Sequence, residues 1–144
     1  MEKGYAVLSG SWKQGDTIEL SLPMDVHKVS ANDKVATDVN HLAVERGPIV
    51  YCAEFADNGG TVLNYVLKPE TAFEAAPASM LGGVEILKGT TERIIAENDF
   101  KEIKSVTDSI LLIPYYARSH RGNGEMAVWL PSDENILKDC LLYT

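Results

Sequence analysis

The sequence has little of what builds metal centres, membrane spans or nucleic-acid surfaces. It holds two cysteines, Cys52 and Cys140, far apart and without a CxxC or CxxxH companion. A zinc site would therefore need ligands gathered from scattered residues, and free thiols are expected, with a disulfide as the alternative. No apolar run approaches the roughly 20 residues that cross a bilayer. Basic residues are scarce, 13 Lys and Arg against 21 Asp and Glu, a formal net charge of −8. Such a surface repels a phosphate backbone, so neither nucleic acid nor membrane is an expected partner. The start, Met1 to Val7, lacks a charged stretch followed by about 7–15 apolar residues, so no secretion signal is expected.

What is present suits a globular domain. In 144 residues, 45% are apolar and 24% charged. A chain of that length buries about two thirds of its unfolded surface, enough for one core. Short apolar runs alternate with turn formers along most of it. Tyr5–Trp12 and Asp16–Leu22 flank Lys13-Gln14-Gly15, with Ile18, Leu20 and Leu22 alternating against Thr17, Glu19 and Ser21, which predicts a hairpin with one apolar face. Val26 and Val29 suggest a short strand, followed by a polar loop of about ten residues. Ile49-Val50-Tyr51-Cys52-Ala53 after Gly47-Pro48 reads as a strand buried on both faces, the expected centre of the core.

Asp57-Asn58-Gly59-Gly60 marks a turn, and Thr61–Leu67 resumes strand character. The alanine-rich stretch Glu70–Pro77 predicts one or two helical turns, cut by Pro77 and Gly82-Gly83. Val84–Leu87, Glu92–Ile95, Ser109–Ile113 and Glu125–Leu130 are further strands. Trp12 and Trp129 stand where large side chains seal a core. The sum, roughly eight to ten short strands, predicts an all-β fold, an antiparallel β-sandwich of jelly-roll type. The domain is expected over residues 4–131, with 132–144 as a C-terminal tail.

The stretch Ile113–Glu125 gathers Tyr115, Tyr116, Arg118, His120, Arg121 and two glycines. Tyrosine faces cover the apolar faces of sugar rings and arginine forks engage hydroxyls, so Tyr115, Tyr116, Arg118 and Arg121 are candidate carbohydrate-binding residues. The competing reading packs one tyrosine inward and pairs Arg118 with an acid or a neighbouring domain. His27, His41 and His120 lie in three separate stretches without a nucleophile and carboxylate beside them, so no triad is expected. Glu45 and Glu54, flanking the double-faced strand, are the best-placed acids, and a structural ion pair is their expected role. Cys52 lies inside that strand, where burial raises a thiol's pKa and blunts its reactivity.

Three stretches together resemble one family: Tyr5 through Trp12-Lys13-Gln14-Gly15-Asp16 to Met24; Val44-Glu45-Arg46-Gly47-Pro48-Ile49-Val50-Tyr51-Cys52-Ala53-Glu54; and Ile113-Pro114-Tyr115-Tyr116-Ala117 with Arg121-Gly122 and Gly124–Trp129. They resemble the C-terminal β-sandwich region of glycoside hydrolase family 127, the β-L-arabinofuranosidases and relatives abundant in Bacteroides. The resemblance implies a parent enzyme whose helical barrel carries the acid glutamate, the cysteine nucleophile and the zinc. None of those motifs occurs here, and Cys52 belongs to the sandwich motif. The chain itself is thus expected to be no enzyme, to hold no cofactor, and to serve as an accessory module packing on that catalytic barrel or forming a homodimer contact. The alternative is a module that binds a plant-type glycan through the Tyr115–Arg121 loop. Periplasm and cytoplasm are both compatible with the resemblance.

Overall fold

The structure, a computed structural model, describes residues 3–97 and 102–142, with side chains through Lys138. Among the described residues, strand-forming runs rich in Val, Ile, Leu and Tyr give nine strands: β1 (Val26–Ser30), β2 (His41–Arg46), β3 (Ile49–Glu54), β4 (Tyr65–Val66), β5 (Phe73–Ala78), β6 (Val84–Glu97), β7 (Glu102–Pro114), β8 (Met126–Ala127) and β9 (Leu130–Pro131). One helix, α1 (Glu134–Leu142), follows, so part of the expected tail is helical.

All pairings are antiparallel, as the alternation and short connections predict. They form one continuous sheet in the order β1-β2-β3-β7-β6-β4, with β5 beside β6, β8 beside β3 and β9 beside β2. The sheet curls until its ends nearly meet. The Leu67 amide, just past β4, donates to the Pro131 carbonyl of β9 at 2.8 Å, and β9 pairs with β2 through His41↔Pro131 and Leu42↔Leu130. The two layers of the expected sandwich are therefore one sheet folded on itself, which hides backbone groups that an open edge would expose.

Side-chain alternation builds two cores from the same strands. On β3, Tyr51 and Ala53 enter the inner core while Cys52 points to the other face. On β7, Ile110 and Leu112 go inward and Leu111 and Ile113 outward; on β5, Phe73 and Ala75 go inward and Ala76 and Ala78 outward. The registers Cys52↔Ile113 and Leu87↔Leu112 bring like faces together. The outer core, Cys52, Val84, Ile86, Ile113 and Ala117, is covered by Met80, Leu81 and Val128. The strand expected to centre the core does so.

Several local expectations are overturned. The Glu70–Pro77 stretch forms β5 and no helix: β6 offers it pairing from Phe73↔Gly89 to Ala78↔Val84, and tertiary pairing outweighs the weak helix preference of alanine. Pro77 is tolerated because β5 pairs on one side only. Gly89 allows the close crossing, since a Cβ there would meet the Phe73 ring and the Ala72 carbonyl. Val84–Leu87 and Glu92–Ile95 are one strand, β6. Thr61–Leu67 is mostly irregular, with only Tyr65 and Val66 in a strand, and Glu125–Leu130 breaks into β8 and β9. The N-terminal hairpin forms its turn but no strands over residues 6–25, and Trp12, 56% exposed, seals nothing. Trp129 is half-buried beside Val29, Ala43, Val50 and Val128 in an apolar hollow of about 300 Å³.

Leu112 is fully buried in the inner core. Its replacement by alanine is expected to cost about 3 kcal/mol in urea unfolding, whereas Val50→Ala, on a half-open surface, should stay within about 0.5 kcal/mol.

Candidate functional site

The site candidate is the loop between β7 and β8. Pro114 ends β7, and a single 3-10 turn over Tyr115–Ala117 follows, with Ala117 buried in the outer core. The chain then reverses through Ser119 at φ 66° and Gly122 at φ 99°. Two residues on, Gly124 lies flat on the Phe55 ring, where any Cβ would overlap the ring carbons. The Phe55 amide donates to the Glu125 carbonyl at 2.9 Å, continuing the β3–β8 pairing beyond Glu54↔Met126.

Beneath this loop lies a buried ionic cluster. Glu54, at the end of β3, has a side chain only 4% exposed. Its Oε1 accepts the Ser119 amide at 2.6 Å, and its Oε2 accepts Arg121 Nε at 3.2 Å and Nη2 at 2.5 Å. Asp57, one turn later, accepts from the other edge of the same guanidinium, Nη1 to Oδ1 at 2.6 Å and Nη2 to Oδ2 at 2.5 Å. Arg121 Nη1 also approaches Met80 Sδ at 3.5 Å. A planar fork is suited to bridging two carboxylates in this way.

Burial alone would raise the Glu54 carboxyl. The Ser119 amide and the Arg121 hydrogen bonds and charge outweigh it, holding Glu54 below its ordinary range. The same two carboxylates hold the Arg121 guanidinium more firmly protonated than usual. Two further groups brace the loop. Asn58, buried, donates Nδ2 to the Glu54 carbonyl at 2.8 Å and to the Leu111 carbonyl at 3.0 Å, and accepts the Leu111 amide at 2.9 Å, imitating a strand partner for β7. Glu125 Oε2 accepts Thr61 Oγ1 at 2.6 Å and the amides of Val62 and Leu63 at 2.8 and 3.1 Å. The Thr61 hydroxyl first, then those amides, hold its carboxyl below the ordinary value.

The four sequence-derived candidates separate into two groups. Arg121 spends its donors on Glu54 and Asp57. Tyr115, Tyr116 and Arg118 face outward instead: Tyr116 is 67% exposed, and the Arg118 guanidinium stacks 4.6 Å from the centre of the Tyr115 ring while donating to Ser119 Oγ at 3.0 Å. Sequence reasoning placed Glu54 in a structural ion pair. Its partner proves to be Arg121, while Arg46, next to Glu45 in sequence, pairs with Glu85 at 2.8 Å. Asp57 and Asn58 read only as turn formers, and no local signal reveals their partners 53 and 64 residues away.

His41 Nδ1 lies 2.9 Å from the Val39 carbonyl; His27 and His120 are exposed. Among the described residues, no three His, Cys, Asp or Glu side chains cluster as metal ligands. Cys52 is a free, buried thiol whose pKa is pushed up to about 12, first by burial. Cys140 lies outside the residues whose side chains are described.

Removing Arg121 leaves two buried carboxylates without a counter-charge, so Arg121→Ala is expected to cost about 3 kcal/mol, a fall of roughly 10 °C in Tm. Glu54 and Glu125 are both lowered in the fold, so the stability they contribute is present above about pH 4.5 and lost as pH falls through their folded values. Scanning calorimetry from pH 7 to 3 should show Tm falling, with Glu54→Gln lower at pH 7 and flatter towards acid.

Residues 26–131 match the family model described as the glycoside hydrolase family 127 C-terminal domain. A non-reducing end β-L-arabinofuranosidase of Bifidobacterium longum subsp. longum is 38% identical over 143 residues, covering 90% of this chain and 21% of that protein. Among solved structures, a GH127 β-arabinofuranosidase superposes with a TM-score of 0.73 at 37% identity, over 78% of this chain and 18% of that one. Ara127N, a GH127 β-L-arabinofuranosidase from Geobacillus stearothermophilus T6, gives 0.68 at 34% identity, over 76% and 18%. This chain thus spans about a fifth of the length of these relatives. The chain belongs to the glycoside hydrolase family 127 C-terminal domain family.

Proposed function

We propose that this chain is a non-catalytic accessory domain of a β-L-arabinofuranosidase-like glycoside hydrolase, serving to pack against the catalytic part of that enzyme. The observation that carries the reading is the state of its best-placed acids. Glu54 and Asp57 each lie 2.5 Å from one Arg121 nitrogen, which puts those two oxygens no more than about 5 Å apart, close enough to suggest a glycosidase pair. Spacing alone is not chemistry. A general acid needs a carboxyl kept protonated near neutral pH, and Glu54 is held the other way. A nucleophile needs free lone pairs facing a substrate, and both carboxylates are occupied by the guanidinium and the Ser119 amide beneath the loop. The Cys52 thiol, at about 12, is no nucleophile at neutral pH.

The test is direct. The 144-residue chain, incubated at high concentration with an aryl β-L-arabinofuranoside, should release no aryl alcohol above the buffer rate. Turnover that disappears in Glu54→Gln or Asp57→Asn at unchanged fold would overturn the reading.

A second reading, glycan contact through the loop, is favoured by one observation: Tyr116 stands 67% exposed beside the stacked Tyr115–Arg118 pair. Aromatic faces with an adjacent guanidinium suit a furanose ring and its hydroxyls. It requires saturable binding of arabino-oligosaccharides in calorimetry or intrinsic fluorescence, lost in Tyr116→Ala and kept in Tyr5→Ala. Silence across arabinan and pectic oligosaccharides rejects it.

A further inference from the structure

Three residues that the loop cluster does not use, Glu45, Val50 and Trp129, converge on the outer face of β1, β2 and β3. On β2, Leu42 and Val44 go to the inner core, so Ala43 and Glu45 stand on the opposite face. The registers Val29↔Ala43 and Glu45↔Val50 carry that face across to both neighbouring strands. Val128 and Trp129, between β8 and β9, close one side, and the residues together line an apolar hollow of about 300 Å³. Val50 is 42% exposed and Trp129 half-buried, so the hollow opens to solvent.

Glu45 is the one polar side chain set among the aliphatic groups and the indole of this lining. It is half-buried, and among the described residues no cation pairs with it. The nearby cations of β1 and β2 are spent elsewhere: Lys28 Nζ donates to the Thr71 carbonyl at 2.6 Å, and Arg46 pairs with Glu85 at 2.8 Å. His27 stands opposite Glu45 in register and is exposed.

This lining decides between kinds of ligand. A plain hydrocarbon would strip water from the Glu45 carboxylate and return nothing. A furanose or pyranose brings several hydroxyls that need several convergent partners, and the hollow offers one carboxylate. What fits is an apolar stem, a flat face for the indole and a positive charge for the carboxylate. The arginine side chain has all three, because its guanidinium is planar and weakly hydrated, stacks on aromatic rings and presents paired N–H donors to a carboxylate. A lysine ammonium is a strongly hydrated point charge without the flat face. The net charge of −8 adds a general attraction for a basic partner.

We propose that this hollow is a docking site for a basic protein segment, which inserts one arginine side chain between Trp129 and Glu45 with its methylenes against Val29, Val50 and Val128. The proposal goes beyond the accessory-domain reading and does not depend on it: turnover by the chain would end that reading and leave this one standing.

Amide NMR spectra of the 144-residue chain at pH 8, recorded while adding a capped glycine–serine pentapeptide with one central arginine, test the proposal. Trp12→Phe assigns the indole signal of Trp129. The Trp129 indole N–H and the Val50 amide should shift saturably at roughly millimolar peptide, the range open to one inserted side chain. The same peptide with citrulline, equal in shape and uncharged, should not saturate, and with lysine it should bind at least about fivefold more weakly. Glu45→Gln should weaken the arginine peptide about tenfold at unchanged Tm, the loss expected for a charge-assisted hydrogen-bond pair; the citrulline comparison decides the matter on the unaltered protein if that variant misfolds. No shift with the arginine peptide, or equal affinity for the citrulline or lysine peptide, overturns the proposal. Saturation of the same signals by an arabino-oligosaccharide at lower concentration shows a sugar site, and shifts that follow protein concentration without peptide show a second copy in the hollow; either also overturns it.

Discussion

The pairing of β3 with β7, in the register Cys52↔Ile113, is the contact on which the rest depends. Both strands are apolar on alternate sides, so one pairing sends Tyr51, Ala53, Ile110 and Leu112 into the inner core and Cys52 and Ile113 into the outer one. A slip by one residue would exchange the two sets and bury the wrong side chains in both. The same register puts Glu54 at the strand end directly under the loop that leaves β7, and Asn58 level with Leu111. Core and loop are thus positioned by one constraint. The Leu67 to Pro131 hydrogen bond then lets the sheet close around the inner core.

The sequence makes legible the features that depend on local pattern. The double-faced apolar run of β3, the strand β1, the turn at Asp57–Gly60 and the all-β class all follow from periodicity and turn residues. What it hides depends on partners distant in the chain. β5 has helical composition and a proline, and becomes a strand because β6 presents a matching edge. Residues 6–22 have the alternation of a hairpin, but only its turn forms, because alternation by itself supplies no pairing partner. The loop residues were legible as a group, whereas their division was not: Arg121 and Tyr116 are five residues apart, yet one lies over two buried carboxylates and the other in solvent.

The ionic cluster shows why a chemical inventory is a poor guide to chemistry. Two neighbouring acids and an arginine fit a hydrolase description, but the arginine sits between the acids and keeps Glu54 charged. A cluster so satisfied holds a loop of turns and glycines in one shape, a task that hydrophobic packing alone does poorly where Gly122 and Gly124 offer no side chain. The cost of desolvating three charges is offset by five hydrogen bonds shared among Glu54, Asp57, Arg121 and Ser119.

If these acids are structural, their role separates cleanly from turnover in the longer enzyme. The most direct measurement is kcat and Tm of the full-length hydrolase with Glu54→Gln, compared with wild type at pH 7 and normalised to folded protein. The account predicts a lower Tm with kcat within about twofold of wild type. A kcat reduced a hundredfold or more at unchanged Tm would contradict it.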